Sequence, residues 1–317
     1  MIKKILGSIL LYGVMAAVLL PLLVTLAWGG FRHERVMEAK TLYHLSDFTA
    51  DGEREAAVSS DSELEQYVMG VVSAEMPALF PKEALKAQAV AARTYQIRKM
   101  REAGSKQVLY DVGQAYATPK ERREKWGSHA KEYEKKVAEA VRETKGEIMV
   151  YEAEPILAVF HAQSSGKTED SENVWVQKIP YLRSVDSSGD LTAPNHEVQT
   201  EIGADMVLQK LSRYGDLGVS AKTLQLSVKE RTRAGYIRQI AAGRLMLTGK
   251  EVREALGLRS ADFTVEKKGD TFLFVTEGYG HGAGMSQHGA AALAEKGMSY
   301  HDILSHYYTG ISFEKTA

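Results

Sequence analysis

From Ile5 to Trp28 the chain carries no charged residue. A helix rises about 1.5 Å per residue, so a run of 24 positions is long enough to cross the roughly 30 Å hydrocarbon layer of a bilayer with some tilt. Everything else the chain does must then be done by the residues beyond Trp28. Pro21 would only kink such a helix. A cleaved secretory signal normally has a shorter apolar stretch and a small-x-small cleavage site, whereas this run ends Leu26-Ala27-Trp28-Gly29-Gly30. The reading is a retained anchor over residues 1–30. Lys3 and Lys4 on one flank nearly balance Arg32 and Arg35 on the other, so charge alone does not orient it. A short amino-terminal tail before a long domain places residues 31–317 outside the cytoplasmic membrane.

The remaining sequence contains no cysteine, which removes disulfides, thiolate metal sites and a cysteine nucleophile together. A formal net charge of −1 gives no reason to expect nucleic acid as a partner. Residues 31–62 are polar with weak periodicity and read as a stalk. Ser62 and Glu65 have capping-box spacing, and Leu64, Tyr67, Val68, Val71 and Val72 recur at helical intervals until Pro77. Pro81 launches a second helix that runs to about Glu102, its alanines allowing close approach to the first. A third helix is expected over 128–145 with Gly146 as its stop, then strands over 147–151 and 156–162 around a turn at Glu154-Pro155. Residues 198–257 read as an accessory lobe of mixed pattern, containing a short helix capped by Thr248 and Glu251. Phe263–Glu266 and Thr271–Thr276 form a hairpin, a helix starts near Ser286, and a last helix is capped at Ser299. Strands and helices without regular alternation predict an α+β fold of mixed helices and antiparallel strands behind the amino-terminal membrane helix.

The residue with the clearest chemistry is Glu75. At 100° per residue from Leu64, Val68, Val71, Val72 and Glu75 lie at about 40°, 340°, 80° and 20°, which sets the carboxylate in the middle of the apolar stripe. Burial and the helix C-terminus both raise its pKa, as a general acid at neutral pH requires. A frayed last turn, with Glu75 in solvent or paired with Lys82 or Arg93, is the alternative. Gln88, Arg93 and Tyr95 lie on or beside the alanine-rich face of the second helix, where they line a polar cleft or act as ordinary contacts.

Between Gly278 and Gly289, five glycines in twelve positions expose backbone N–H groups at a helix start, suited to an oxygen-rich ligand. No Gly-Lys-Ser/Thr follows, so this is not a nucleotide-phosphate loop. His281 and His288, with His161, invite a metal reading and a chelator-sensitive hydrolase, but a spacing of seven matches no ligand pattern. No metal or other cofactor is called for. The loop is expected to form part of a glycan cleft through His281, Gly284, Ser286 and Gln287. On that reading Gly284→Val weakens sugar binding with the melting temperature nearly unchanged.

Three separated segments together resemble one family. They are Tyr67 to Pro77 with its Glu75-Met76-Pro77, continuing through Gln88 and Arg93-Thr94-Tyr95; Ser164-Ser165-Gly166-Lys167-Thr168-Glu169 with Glu172-Asn173-Val174-Trp175; and His281-Gly282-x-Gly284-Met285-Ser286-Gln287-x-Gly289. The chain resembles the stage II sporulation protein D family over about residues 63–313, which would make that span a catalytic domain. The resemblance implies a lytic transglycosylase that cuts the bond between N-acetylmuramic acid and N-acetylglucosamine, leaves a 1,6-anhydro end, and prefers glycan stripped of stem peptides during forespore engulfment. It implies action in the mother-cell membrane, beside a cell-wall amidase/endopeptidase and a polytopic membrane protein. The family's catalytic glutamate falls on Glu75, and its polar motif residues fall on Gln114, Tyr116, Ser164 and Ser165. Some members carry a zinc site of one His and two Cys before a Gln-x-Tyr; the matching stretch Asp111 to Tyr116 has no Cys, so that site is expected to be missing. A non-catalytic glycan clamp that recruits or stimulates an amidase is the rival reading, as relatives called amidase enhancers imply. The two part at Glu75.

Overall fold

The computed structural model describes residues 60–110 and 113–316. The proposed anchor and nearly all of the stalk lie outside the described residues; among those described, no helix is long and apolar enough to cross a membrane.

The first core is built around one helix. α1 (Ser60–Glu75) and α2 (Lys82–Glu102) are joined by the short Met76–Pro81 link, and α2 is packed by α1, by α4 (Ala130–Glu143), by strand β1 (Glu147–Tyr151), and by the carboxy-terminal helices α8 (Gln287–Glu295) and α9 (Tyr300–Tyr307). Ala84, Ala87, Ala89, Ala91 and Ala92 are all fully buried, and their small side chains let five elements approach one axis. The apolar stripe of α1 meets them with Tyr67, Val68, Val71 and Val72, also buried.

Several boundaries depart from expectation. α1 begins at Ser60, and Glu65 does not close a capping box: its carboxylate turns inward, accepts from Arg93 at 2.6 and 2.8 Å, and takes the N–H of Gly146 at 3.1 Å. Buried charge demands an opposite charge before a surface cap can claim it. An additional helix, α3 (Pro119–Trp126), precedes α4, opened by Thr118 and Glu121 in a true capping box with Pro119 at the first position. The turn after β1 falls on Glu152 and Ala153, both at positive φ, so that β2 (Glu154–Pro155) pairs back on β1. Two successive positive-φ residues are what a tight hairpin needs, and here neither is glycine.

The outer edge of β1 takes β11 (Ser312–Lys315) antiparallel, while β3 (Phe160–His161) pairs in parallel with β10 (Met285–Ser286). The short α5 (Ser171–Val174) follows the polar loop after β3. A second core occupies the excursion between them. β4 (Glu197–Gly203) and the hairpin β8 (Phe263–Lys268) and β9 (Thr271–Glu277) form one sheet in the order β4-β9-β8. β5 (Leu226–Arg231), β6 (Ile237–Ala242) and β7 (Leu245–Leu247) form another, with α6 (Ala204–Leu211) and α7 (Gly249–Leu256) packed between. Its buried apolar residues run from Ala204 to Phe274, so the hairpin belongs to this core as well. With every named strand pairing among the described residues antiparallel except β3–β10, and the helices segregated, the fold is α+β.

Candidate functional site

Glu75 ends α1, where Lys125 from α3 closes the last turn by donating to the carbonyls of Ser73 and Ala74 at 2.9 and 3.3 Å. The helix therefore does not fray. The Glu75 carboxyl is half-buried; it accepts the backbone N–H of Ala115 at 2.7 Å and the side-chain amide of Gln287. Burial pushes its pKa up, against the opposing pull of those two donors and of Lys125. No second carboxylate is among the groups that shift it most. Neither Lys82 nor Arg93 pairs with it: Lys82 pairs with Glu139 and Glu143, and Arg93 with Glu65.

Two segments far apart in sequence meet on this carboxyl. Residues 113–117 run back along α1, Ala117 donating to the Gly70 carbonyl at 3.1 Å. The ring of Tyr116 lies so close over Gly70 that a Cβ there would come within 2.1 Å of it, so glycine is required for the close approach. Tyr116 stacks on Tyr67 with centroids 5.7 Å apart, Tyr110 stands edge-on to both, and the Tyr67 hydroxyl donates to Gln114 at 3.2 Å. From the other side, Ser286 caps α8 by accepting the Gly289 N–H, which presents Gln287 to Glu75 and, at 3.3 Å, to Gln88. The amide nitrogens of Gln88 and Gln114 are buried with no protein partner among the described residues. Glu75, Gln287, Gln88, Gln114 and Tyr116 thus form one neighbourhood: an acid whose pKa burial raises, one backbone donor and amides with unused hydrogens.

A family model described as stage II sporulation protein matches residues 53–151. A stage II sporulation protein D from Bacillus amyloliquefaciens is 39% identical over 259 residues, covering 80% of this chain and 74% of that one. The stage II sporulation protein D of Bacillus subtilis (strain 168) is 40% identical over 254 residues, 78% and 73% of the two chains. This chain belongs to the stage II sporulation protein D family. An amidase enhancer from Bacillus subtilis (strain 168) is also similar, 30% identical over 293 residues, 76% of this chain but 39% of the larger protein.

The other motif residues of the family are placed differently. Arg93 is 0% exposed and cannot reach a ligand; besides Glu65 it donates to the Glu147 carbonyl at 3.1 Å. Tyr95 faces Lys99, whose ammonium lies 5.6 Å from the ring centroid, and its hydroxyl lies near Gly113. Ser164 and Ser286 are consumed inside the protein by Asp190, a buried carboxylate that accepts both hydroxyls, at 2.6 and 2.7 Å, with the Ser187 hydroxyl and the Ser164 N–H at 2.9 Å. Ser165 lies against Tyr236 and Asp262. Gly284 sits at φ +70, and a Cβ there would lie 2.1 Å from the Val159 carbonyl oxygen. It lies where β10 crosses onto β3, so replacement by valine cannot leave the melting temperature unchanged, a correction to the expectation from sequence.

The histidines do not converge. His161 and His281 have ring centroids 5.6 Å apart, and burial holds both neutral, at about 4 and about 3. His288 instead packs edge-on against Phe80. Among the described residues no group of three or more His, Cys, Asp or Glu is arranged to hold a metal ion. Sequence reasoning missed Lys125 and Asp190; only Asp190, in its Ser-Ser-Gly-Asp turn, left any signal.

Proposed function

We propose that the chain is a membrane-anchored lytic transglycosylase acting on peptidoglycan during sporulation, with Glu75 as its one acid and base. The observation that carries this reading is the Glu75 carboxyl, with its pKa raised by burial, held by Ala115 and Gln287, and with no carboxylate partner among the groups that shift it most. Hydrolysis by glycosidases ordinarily needs two carboxyl groups, one to protonate the leaving oxygen and one to attack or to activate water. A single carboxyl suffices when the sugar supplies its own nucleophile. Glu75 gives its proton to the glycosidic oxygen as the C1–O bond of the muramyl residue breaks, then takes the proton of the C6 hydroxyl as that oxygen bonds to C1. The product is a 1,6-anhydro end, no water is consumed, and Glu75 is regenerated protonated. The donors from Ala115 and Gln287 keep the intermediate carboxylate from being stranded, and the spare amide hydrogens of Gln88 and Gln114 suit sugar hydroxyls. The uncharged run from Ile5 to Trp28 would hold the domain outside the membrane, within reach of the wall and of the amidase and polytopic partners that the family resemblance implies.

Similarity to an amidase enhancer favours a second reading, a glycan-binding module that stimulates an amidase without cutting. Glu75→Gln separates the two. The amide keeps the size of the acid but can neither give nor take the proton. Release of 1,6-anhydro-muramyl products from peptide-free glycan is expected to fall by about a thousandfold, within the range typical of acid-base steps, with glycan binding retained. Near wild-type turnover in Glu75→Gln would transfer the case to the binding module.

A further inference from the structure

A cavity of about 410 Å³ opens between α5 with its following residue Trp175, strand β6, and helix α7. Glu75 does not line it, and the mechanism above makes no use of it. His281 lines one wall, and the indole of Trp175 packs against His281 with centroids 5.2 Å apart. His281 lies only six residues before Gln287, which touches Glu75, so the backbones of His281 and Gln287 are at most about 22 Å apart.

The charges in this cavity do not cancel locally. Three carboxylates line it, but Glu172 is paired with Arg183 from outside at 2.6 Å, and Glu169 is held by Thr232, Asn173 and the Asp170 N–H and kept toward its neutral form by burial. Arg238 is paired outward with Glu230 at 3.2 Å. What remains is Arg253 and Lys250 against Glu254 alone. Arg253 spends its Nε on the Arg259 carbonyl at 3.1 Å and Lys250 its ammonium on the Val174 carbonyl at 3.3 Å; neither forms an ion pair among the described residues. Both push the proton off His281, so both charges are felt at the same wall. A half-buried guanidinium with free N–H groups, balanced only by the exposed Glu254 with which it forms no ion pair among the described residues, is costly unless something negative arrives. Beside it, Trp175, Val174 and Ile237 offer an apolar wall, the indole being suited to the C–H face of a sugar ring.

We propose that this cavity is a carboxylate-binding subsite, remote from the acid, in which Arg253 and Lys250 take the carboxylate of a muramyl residue while Trp175 packs on the sugar. The inference rests on the peptidoglycan reading above. It names a feature a chitin-type strand lacks: a lactyl carboxylate, or the terminal carboxylate of a stem peptide when the lactyl group is tied up in an amide.

The probe is the disaccharide N-acetylglucosaminyl-N-acetylmuramic acid, which does not contain the bond proposed to be cut, so its binding is read independently of turnover. Calorimetry on the full chain in detergent is expected to show it binding about tenfold tighter than its lactyl methyl ester, the difference one charge-assisted contact supplies. Lys250→Gln, at an exposed position, and Arg253→Gln should each reduce that preference severalfold without weakening binding of the ester. Equal affinity of wild type for acid and ester overturns the subsite while leaving the transglycosylase reading intact; failure of both to bind overturns the peptidoglycan reading itself. A preference that survives both substitutions also overturns the assignment. The disaccharide bearing a stem dipeptide identifies the source: loss of the preference assigns the lactyl group, and retention assigns the peptide end.

Discussion

Glu75 couples the chemistry of the site to the stability of the fold. Its pKa in the folded protein lies above the ordinary value of 4.5, so the folded state binds its proton more tightly than the unfolded chain does. Stability contributed by this group is present at low pH and is lost as pH rises from the unfolded value through the raised folded one. Glu75→Gln has no proton to lose. Its melting temperature relative to wild type is therefore expected to rise from pH 4 to pH 8, and a flat difference across that range would show the carboxyl to be unperturbed. Arg93 makes the opposite case, a motif residue whose work is structural. Arg93→Ala strands the Glu65 carboxylate in the first core, a loss of about 3–5 kcal/mol in urea unfolding, with no sugar contact involved. A loss of glycan affinity at unchanged stability would reverse that assignment. The helical wheel located Glu75 because an acid among valines breaks a local pattern. It could not separate Arg93 from a ligand-binding arginine, because Glu65 and Glu147, which claim it, lie 28 and 54 residues away.

Among the elements, the glycine-rich segment does its main work through its backbone. Gly284 has a positive φ and no room for a side chain above Val159, so Gly284→Ala is expected to cost about 1–3 kcal/mol from backbone strain alone. Calorimetric melting checks it, and an unchanged midpoint would mean that the crossing relaxes freely. Asp190 ties the same segment down: Asp190→Ala leaves the Ser164, Ser187 and Ser286 hydroxyls without their acceptor and should cost at least about 3 kcal/mol, whereas Asp190→Asn should recover part of it. The helices were legible where caps announced them, at Thr248, Ser286 and Ser299. α3 was just as clearly signed by Thr118, Pro119 and Glu121, but it has no apolar period to draw attention to it. β4 and β11 escaped notice because an edge or half-exposed strand of mixed polarity is defined by its partner, and β9 and β1 lie 68 residues or more away along the chain.

For the molecule as a whole, the lack of cysteine and the scattered histidines predict that EDTA leaves the melting temperature of the purified chain unchanged; a fall of several degrees would reveal a structural ion. The α+β character was readable from the order of periodicities, but the existence of two cores was not, since periodicity reports that a face is buried and not against what. The way the second core is attached has a consequence for lineage and engineering. The chain leaves the first core at Glu197 and returns at Glu277, and those two residues are register partners on β4 and β9, with Gly278 donating to the His196 carbonyl at 2.9 Å. Paired strand positions are only about 5 Å apart, so departure and return form a single doorway. Exchanging the roughly eighty residues between them would also remove the hydrogen bonds of Thr232 to Glu169, Lys250 to the Val174 carbonyl and the Gly280 N–H to the Arg259 carbonyl, and a shorter relative built that way would keep Glu75 while shedding Arg253 and Lys250. Glu75 and the cationic pair Arg253 and Lys250 are thus carried by separable stretches of chain.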